Sequence, residues 1–324
     1  MTSMRALLGA LAFAMLASAA PGALAQGWPQ KPVRVIVPFP PGGVTDSIAR
    51  ITCEWLTNRL GQPVLAENRP GASGAIAGEL VARSAPDGYT LLLATAPPLA
   101  IAPHVQKVPY DPLKDFAPIA IVGSNPFALG VNHAIPGTTL AEFVAYVKAH
   151  PGKLSYASPG TGTVGHLTMA LFLERAGLKM EAVLYKGGGP AMADVVAGHV
   201  PAYFGNLNEI LPYAKGGKIK VLAVSSALRT PQLLDVPTVA EQGYPGFRTV
   251  TWNGLAAPAH TPPEIIDRLA HEIELGCRDA AFTARLNGIG VDPVCNSPTE
   301  FIQTLHQDFA LWKEAVRLAG VKRE

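Results

Sequence analysis

The stretch "GTGTVG", Gly160 to Gly165, is the one on which the reading of the fold turns. It matches G-x-G-x-x-G, the dinucleotide-binding fingerprint, and it has that motif's flanks. "KLSYAS" before it reads as a strand and "HLTMALFLERAG" after it as a helix. A dinucleotide fold also needs an acidic residue at the end of the next strand, to hold the ribose hydroxyls. That strand, "AVLY", ends in Lys186 and Gly187, while Glu181 precedes it. The charge stands at the wrong end, and its replacement has the wrong sign. The stretch therefore reads as an anion-receiving turn, and no cofactor is expected.

Two more Gly-rich strand-to-helix turns lie along the chain, "PFPPGGVTD" (Pro38 to Asp46) and "YKGGGPAMAD" (Tyr185 to Asp194). In a parallel α/β sheet such turns sit at the carboxyl edge, where ligands bind. Backbone amides at a helix N-terminus favour an anion, and glycine lets the backbone approach it without a Cβ in the way. One such turn is explained by steric need alone. Three of them suggest a cleft with donors on both walls, and Ser158, Thr161 and Thr163 add hydroxyls. Asp46 is either a cap for a helix starting near Ser47 or an acceptor for a ligand amine or water. His166 either donates to a carboxylate or packs at a domain surface. Lys186 either neutralises a ligand charge or is a solvated loop lysine.

Around these turns strand and helix alternate, as in parallel βαβ units. "VRVIVPF" is a buried strand, followed by a helix ending at Gly61. "PVLAENRPG", "AIAGELVARS" and "YTLLLAT" read as strand and turn, helix, and strand. The pattern restarts after a Pro-rich connection, "VPYDPLKDFAPI", with "FALGVN" as the next strand. "AYFGN", "KVLAVSS" and "TVTWNGLAAP" are later strands, and two long amphipathic helices finish the chain.

At the start of the chain, Arg5, an apolar run from Ala6 to Ala23 and the small-residue site Ala23-Leu24-Ala25 form a secretory signal peptide, residues 1–25, cleaved before Gln26. Pro21 and Gly22 break the run, no basic stop-transfer cluster follows, and no Cys follows to carry a lipid. The mature chain is expected in the periplasm, where no useful pool of free NAD exists. The formal net charge is +2 with no basic stripe, so nucleic acid is not an expected partner. Cys277 and Cys295 can pair in an oxidising compartment, but sequence does not place their Cα atoms within bridging distance. Cys53 reads as a buried small hydrophobe. The chain has no G-x-S-x-G elbow, no H-E-x-x-H and no C-x-x-C. Ser73, in "GASGA", lacks the elbow pattern, and the eight histidines lack metal-ligand spacing. No catalytic residue and no metal site is expected.

The stretches "WPQKPVRVIVPFPPGGVTDSIAR", "ENRPGASGAIAGELVARSAPDGYTLLLAT", "VPYDPLKDFAPI", "PGKLSYASPGTGTVGHL", "YKGGGPAMADVVAGHV" and "DVPTVAEQGYPGF…WNGLAAP", in this order, resemble the Bug receptors. These are the extracytoplasmic solute receptors of tripartite tricarboxylate transporters. The resemblance implies an α/β, type II periplasmic-binding-protein fold, with two domains, two crossings and a ligand cleft. Domain 1 would comprise 26–124 and 247–324, and domain 2 would comprise 125–246. It implies a small organic acid as ligand, integral membrane transporter subunits as partners, and a monomer. A sensor for a signalling system would have the same cleft. A periplasmic enzyme acting on a carboxylate is the competing class.

Carried onto this chain, the resemblance puts the ligand against Phe39, Pro41, Gly42, Gly43, Val44, Thr45 and Asp46, and against Thr95 and Ala96. In domain 2 it points to Ser158, Gly160, Thr161, His166, Tyr185, Lys186, Gly187, Gly188 and Asn206. Three positions depart from the family pattern. Gly205-Asn206 replaces a "DN" pair, "TAPP" (Thr95 to Pro98) replaces a loop usually rich in Gly, Ser and Thr, and Val44 is apolar. Together they imply a ligand with an apolar or aromatic body, an expectation that a uniformly polar cleft would overturn.

Overall fold

The computed structural model describes residues 27–323, so the expected signal segment and its cleavage point lie outside the described residues. β1 (Val33–Val37), β2 (Val64–Asn68) and β3 (Thr90–Thr95) pair in parallel in the order β2-β1-β3. Val33, Val35, Ile36 and Val37 are fully buried, as a strand covered on both faces requires. Helix α1 (Val44–Leu60) follows β1 and ends at Gly61, whose left-handed backbone lets its amide reach the Thr57 carbonyl. α1 starts three residues before the expected Ser47, with Gly43 as N-cap. Asp46 thus lies inside the first turn instead of capping it. Helix α2 (Ala75–Ala82) links β2 to β3.

β4 (Phe116–Val131) corrects the sequence reading, which took its first part as a connection. The Pro-rich stretch "VPYDPLKDFAPI", which includes Pro118, read as a break. The strand accommodates Pro118 through register shifts against β9 (Val250–Pro258), between Pro118 and Ala120 and between Ile121 and Gly123. Pro126 is the last residue paired with β9, opposite Val250. From Phe127 onward β4 pairs with other strands: β7 (Ala202–Asn206) and β8 (Lys220–Val224). One strand therefore belongs to two sheets and is a passage between them. The return passage lies beside it: the Ser225 amide donates to Phe127 O (2.8 Å) and the Thr249 amide to Ser225 O (3.0 Å).

After β4 the second sheet is built from α3 (Leu140–Ala149), β5 (Ser155–Ser158), α4 (Val164–Ala176), β6 (Glu181–Leu184), α5 (Gly188–Ala197), β7, α6 (Leu207–Lys215) and β8. β5 pairs in parallel with β6 and β7. After β9 the chain forms three helices where two were expected: α7 (Pro263–Arg278), α8 (Ala280–Gly288) and α9 (Pro298–Leu318). Asp279 separates the first two, accepting the Phe282 amide at 2.8 Å as the α8 N-cap. β10 (Asp292–Pro293) adds to β4. Cys277 and Cys295 form a disulfide with Cα atoms 6.0 Å apart, tying the end of α7 to the approach to α9. Cys53 is free and buried, and burial pushes its thiol up to about 12. α9 packs on β4 and on α4, so the last helix touches both halves of the molecule. No helix among the described residues is long and apolar enough to cross a membrane.

Candidate functional site

The GTGTVG turn uses its glycines sterically. Gly160 (φ +142) and Gly162 (φ +70) occupy conformations that side chains disfavour. A Cβ on Gly165 would stand 2.7 Å from the Phe204 carbonyl, so this glycine lets α4 lie directly on β7. That is the packing role of the third glycine in the dinucleotide motif, here without the ribose acid. Thr163 caps α4, accepting the His166 amide (3.4 Å) and donating to Gly160 O (2.8 Å). Ser158 is fully buried, with Oγ donating to Gly160 O at 3.2 Å. The Tyr185 amide donates to Ser158 O (2.8 Å) and the Gly187 amide to Pro159 O (3.0 Å). The structure thereby joins the two expected loops of this half.

His166 is engaged within its own turn. The Gly162 amide donates to its Nδ1 at 3.2 Å, and its ring stacks near Tyr156. Burial lowers its pKa, which suits the neutral acceptor form. His166 lines a groove shared with Leu318 and Ala319 and is not among the residues lining the main cleft described below. The Tyr185 hydroxyl donates to Asp194 at 2.6 Å, and burial with that carboxylate pushes its pKa up to about 12. Lys186 is exposed. Gly188 abuts the Glu209 carboxylate, and Asn206 is the N-cap of α6 without a side-chain cap bond. The missing acid at Gly205 has a steric reason: a Cβ there would sit 2.2 Å from the Tyr203 ring. Tyr203 in turn donates to Glu209 at 2.9 Å, and burial raises the pKa of that carboxyl.

On the other wall Asp46 is spent within its own loop. It accepts the Gly42 amide (3.0 Å), Asn68 Nδ2 (2.9 Å) and Arg50 Nε and Nη2 (2.9 and 3.1 Å). Burial opposes its charge, but the hydrogen bonds from Arg50, Gly42 and Asn68 and the Arg50 charge hold its carboxyl below the usual range. Asn68 also donates to Phe39 O (3.0 Å), so Asp46 and Asn68 together hold the loop from Phe39 to Gly43. Pro41, Gly42 and Gly43 are exposed at its tip, and Thr45 is half-buried. Val44 is half-buried against the core of this half and is not among the residues lining the cleft described below. Thr95 and Ala96 are fully buried, and the Thr95 hydroxyl has no hydrogen-bond partner among the described residues.

Between these walls lies a cleft of about 560 Å³. Phe39 and Thr161, two of the residues to which the resemblance points, line it. So do Gly162, Thr163 and Val164 of the GTGTVG turn and Pro97 of the Thr95 to Pro98 loop, together with residues the sequence reading did not nominate: Ser73, Ile101, Ala102, Val105, Gln106, Gly320, Val321 and Lys322. Pro97–Ile101 forms a helical turn running into Ala102–Val105, which presents Ile101 and Val105 on one face. That spacing was the one available signal. Ser73 reaches the cleft from a turn in which Ala72 (φ +47) and Ser73 (φ +53) are both left-handed. The Gly74 amide closes this turn on Gly71 O (2.9 Å), and Gln106 Nε2 holds Ala72 O (2.8 Å). The wall is mostly apolar, with a few polar groups, as expected for a body-binding pocket. Among the described residues no cluster of His, Cys, Asp and Glu could hold a metal ion.

Comparison with known proteins agrees with this architecture. Residues 48–321 match the family model described as "Tripartite tricarboxylate transporter family receptor". Protein BugT of Bordetella pertussis is 36% identical over 324 residues, covering 99% of each chain. An adipate-bound protein of R. palustris superposes with a TM-score of 0.77 at 34% identity, over 92% of this chain and 100% of its own. Malate-bound MatC of Rhodopseudomonas palustris gives 0.71 at 32% identity, over 89% and 100%. The two α/β halves joined by paired passages, with a cleft between them, are those of a two-domain periplasmic binding protein. The chain belongs to the receptor family of the tripartite tricarboxylate transporters.

Proposed function

We propose that this receptor acts in the periplasm, captures a small organic carboxylate with an apolar body between its two domains, and delivers it to membrane transporter subunits. The observation that carries the ligand class is the apolar wall made by Phe39, Pro97, Ile101, Val105 and Val164 in a 560 Å³ cleft. The departures at Gly205 and at Thr95 to Pro98 support the same reading. The domains divide as 26–124 with 247–324 against 125–246, near the Pro126 to Phe127 change of strand partner. Ligand differentially stabilises the closed arrangement, which the transporter then recognises. The receptor works as a monomer and no residue is assigned a catalytic step.

Thermal unfolding of the mature protein against mono-, di- and tricarboxylates, aromatic acids and amino acids tests this. An acid with an apolar body at about 100 times its Kd should add roughly 2.7 kcal/mol. Stabilisation by polar tricarboxylates or amino acids alone would overturn the apolar-body reading. Silence towards every acid, also after unfolding and refolding to strip bound ligand, would overturn the carboxylate reading.

A further inference from the structure

Some amides of the turns expected to receive the ligand's charge are already engaged. In the GTGTVG turn the Gly160 amide goes to Ser158 Oγ, Gly162 to His166 and Thr163 to Gly160 O. In the first loop the Gly42 amide goes to Asp46. Lys186, the lysine nominated from sequence, does not line the cleft. The amides left free there can hydrogen-bond an acid, but they carry no full counter-charge.

The segment after α9 supplies it. Gly320 is left-handed (φ +64), and the Val321 amide turns back to Val316 O at 3.2 Å. This C-cap redirects the chain across the cleft. Val321 arrives beside Val105 and the GTGTVG turn: a Cβ on Gly162 would be 3.8 Å from a Val105 methyl and 4.0 Å from a Val321 methyl. Lys322 follows on the same wall. It is the one charged side chain lining the cleft among the described residues, and it makes no ion pair there with any of them.

We propose that Val321 and Lys322 are specificity-determining residues of the cleft: Val321 covers the ligand's apolar body and Lys322 pairs with its carboxylate. This rests on the carboxylate-receptor reading and goes further, naming the cation and the segment that carries it. A lysine on a flexible stem at a half-open rim attracts any acid but has no attraction for the corresponding neutral amide. The preference for acid over amide is therefore the signature of its role.

Isothermal titration with straight-chain C4 to C8 acids, their diacids and their primary amides tests the proposal on the wild type, Lys322→Ala, Lys322→Arg and Arg323→Ala. Lys322 is exposed, so its replacement leaves the fold intact. Lys322→Ala should weaken acid binding about fivefold, the scale of one rim ion pair, and leave amide binding unchanged. Lys322→Arg should restore most of the preference, and Arg323→Ala should leave it as in the wild type. If Lys322→Ala binds acids as the wild type does, the proposal is overturned while the receptor reading stands. If the wild type binds no acid, both fall together.

Discussion

Replacing Asp46 tests the account of the first loop. Its carboxylate is 3% exposed and accepts four hydrogen bonds. Arg50 is 55% exposed, so its share is small, about 0.5 kcal/mol for an exposed i,i+4 pair. The bonds from Gly42 and Asn68 go to a charged acceptor, and such bonds are worth about 1.5–3 kcal/mol each at most. Water can reach the exposed Gly42 amide, and Asn68 keeps Phe39 O, so neither loss is complete. Asp46→Ala should therefore cost about 2–3 kcal/mol in urea unfolding, and weaken binding through a loosened Phe39. Asp46→Asn, which keeps an acceptor but no charge, should cost less. The pH dependence has a definite sign. The folded pKa is depressed, so this contribution is present in full above the unfolded value of about 3.9 and is lost as pH falls towards the folded value. The stability difference between the wild type and Asp46→Asn should shrink over that acid window. Asp46→Ala that unfolds like the wild type, within about 0.5 kcal/mol, yet binds no ligand would refute this account and make Asp46 a ligand acceptor.

Three further tests address other parts of the molecule. Gly165→Ala should destabilise by about 1–3 kcal/mol, since its Cβ meets a backbone carbonyl that cannot turn aside; a neutral effect in urea unfolding would show that α4 can lift off β7. Replacing Cys277 and Cys295 by Ser should cost about 3 kcal/mol by the loop-entropy argument for an 18-residue separation, read as a lower urea midpoint that reductant reproduces in the wild type. His166 has a lowered folded pKa, so its contribution holds above the ordinary value of about 6.5 and is lost as pH falls below it, when the protonated ring can no longer accept the Gly162 amide. Ligand affinity should drop over that range in the wild type and less in His166→Gln; identical pH profiles would remove His166 from the turn's support.

The alternation of strands and helices, the three glycine turns and the lack of a dinucleotide acid were all legible locally. They depend on neighbours within a few residues, where periodicity, glycine's freedom and a charge at a strand end act directly. Other features were legible only as alternatives. Asp46 and His166 each had a structural and a ligand reading, and each is committed to an amide four residues earlier in the chain. β4 was hidden because proline usually ends a strand, while bulges against β9 absorb Pro118. The cleft's own lining was least visible. Val105, Gly162 and Val321 are far apart in sequence, and no local pattern encodes a meeting made by α9 lying across both halves. The sequence by itself thus determined most of the strand and helix alternation and the glycine turns, because those follow from short-range sterics and charge. The tertiary structure alone decided which side chains line the cleft, because that depends on long-range packing.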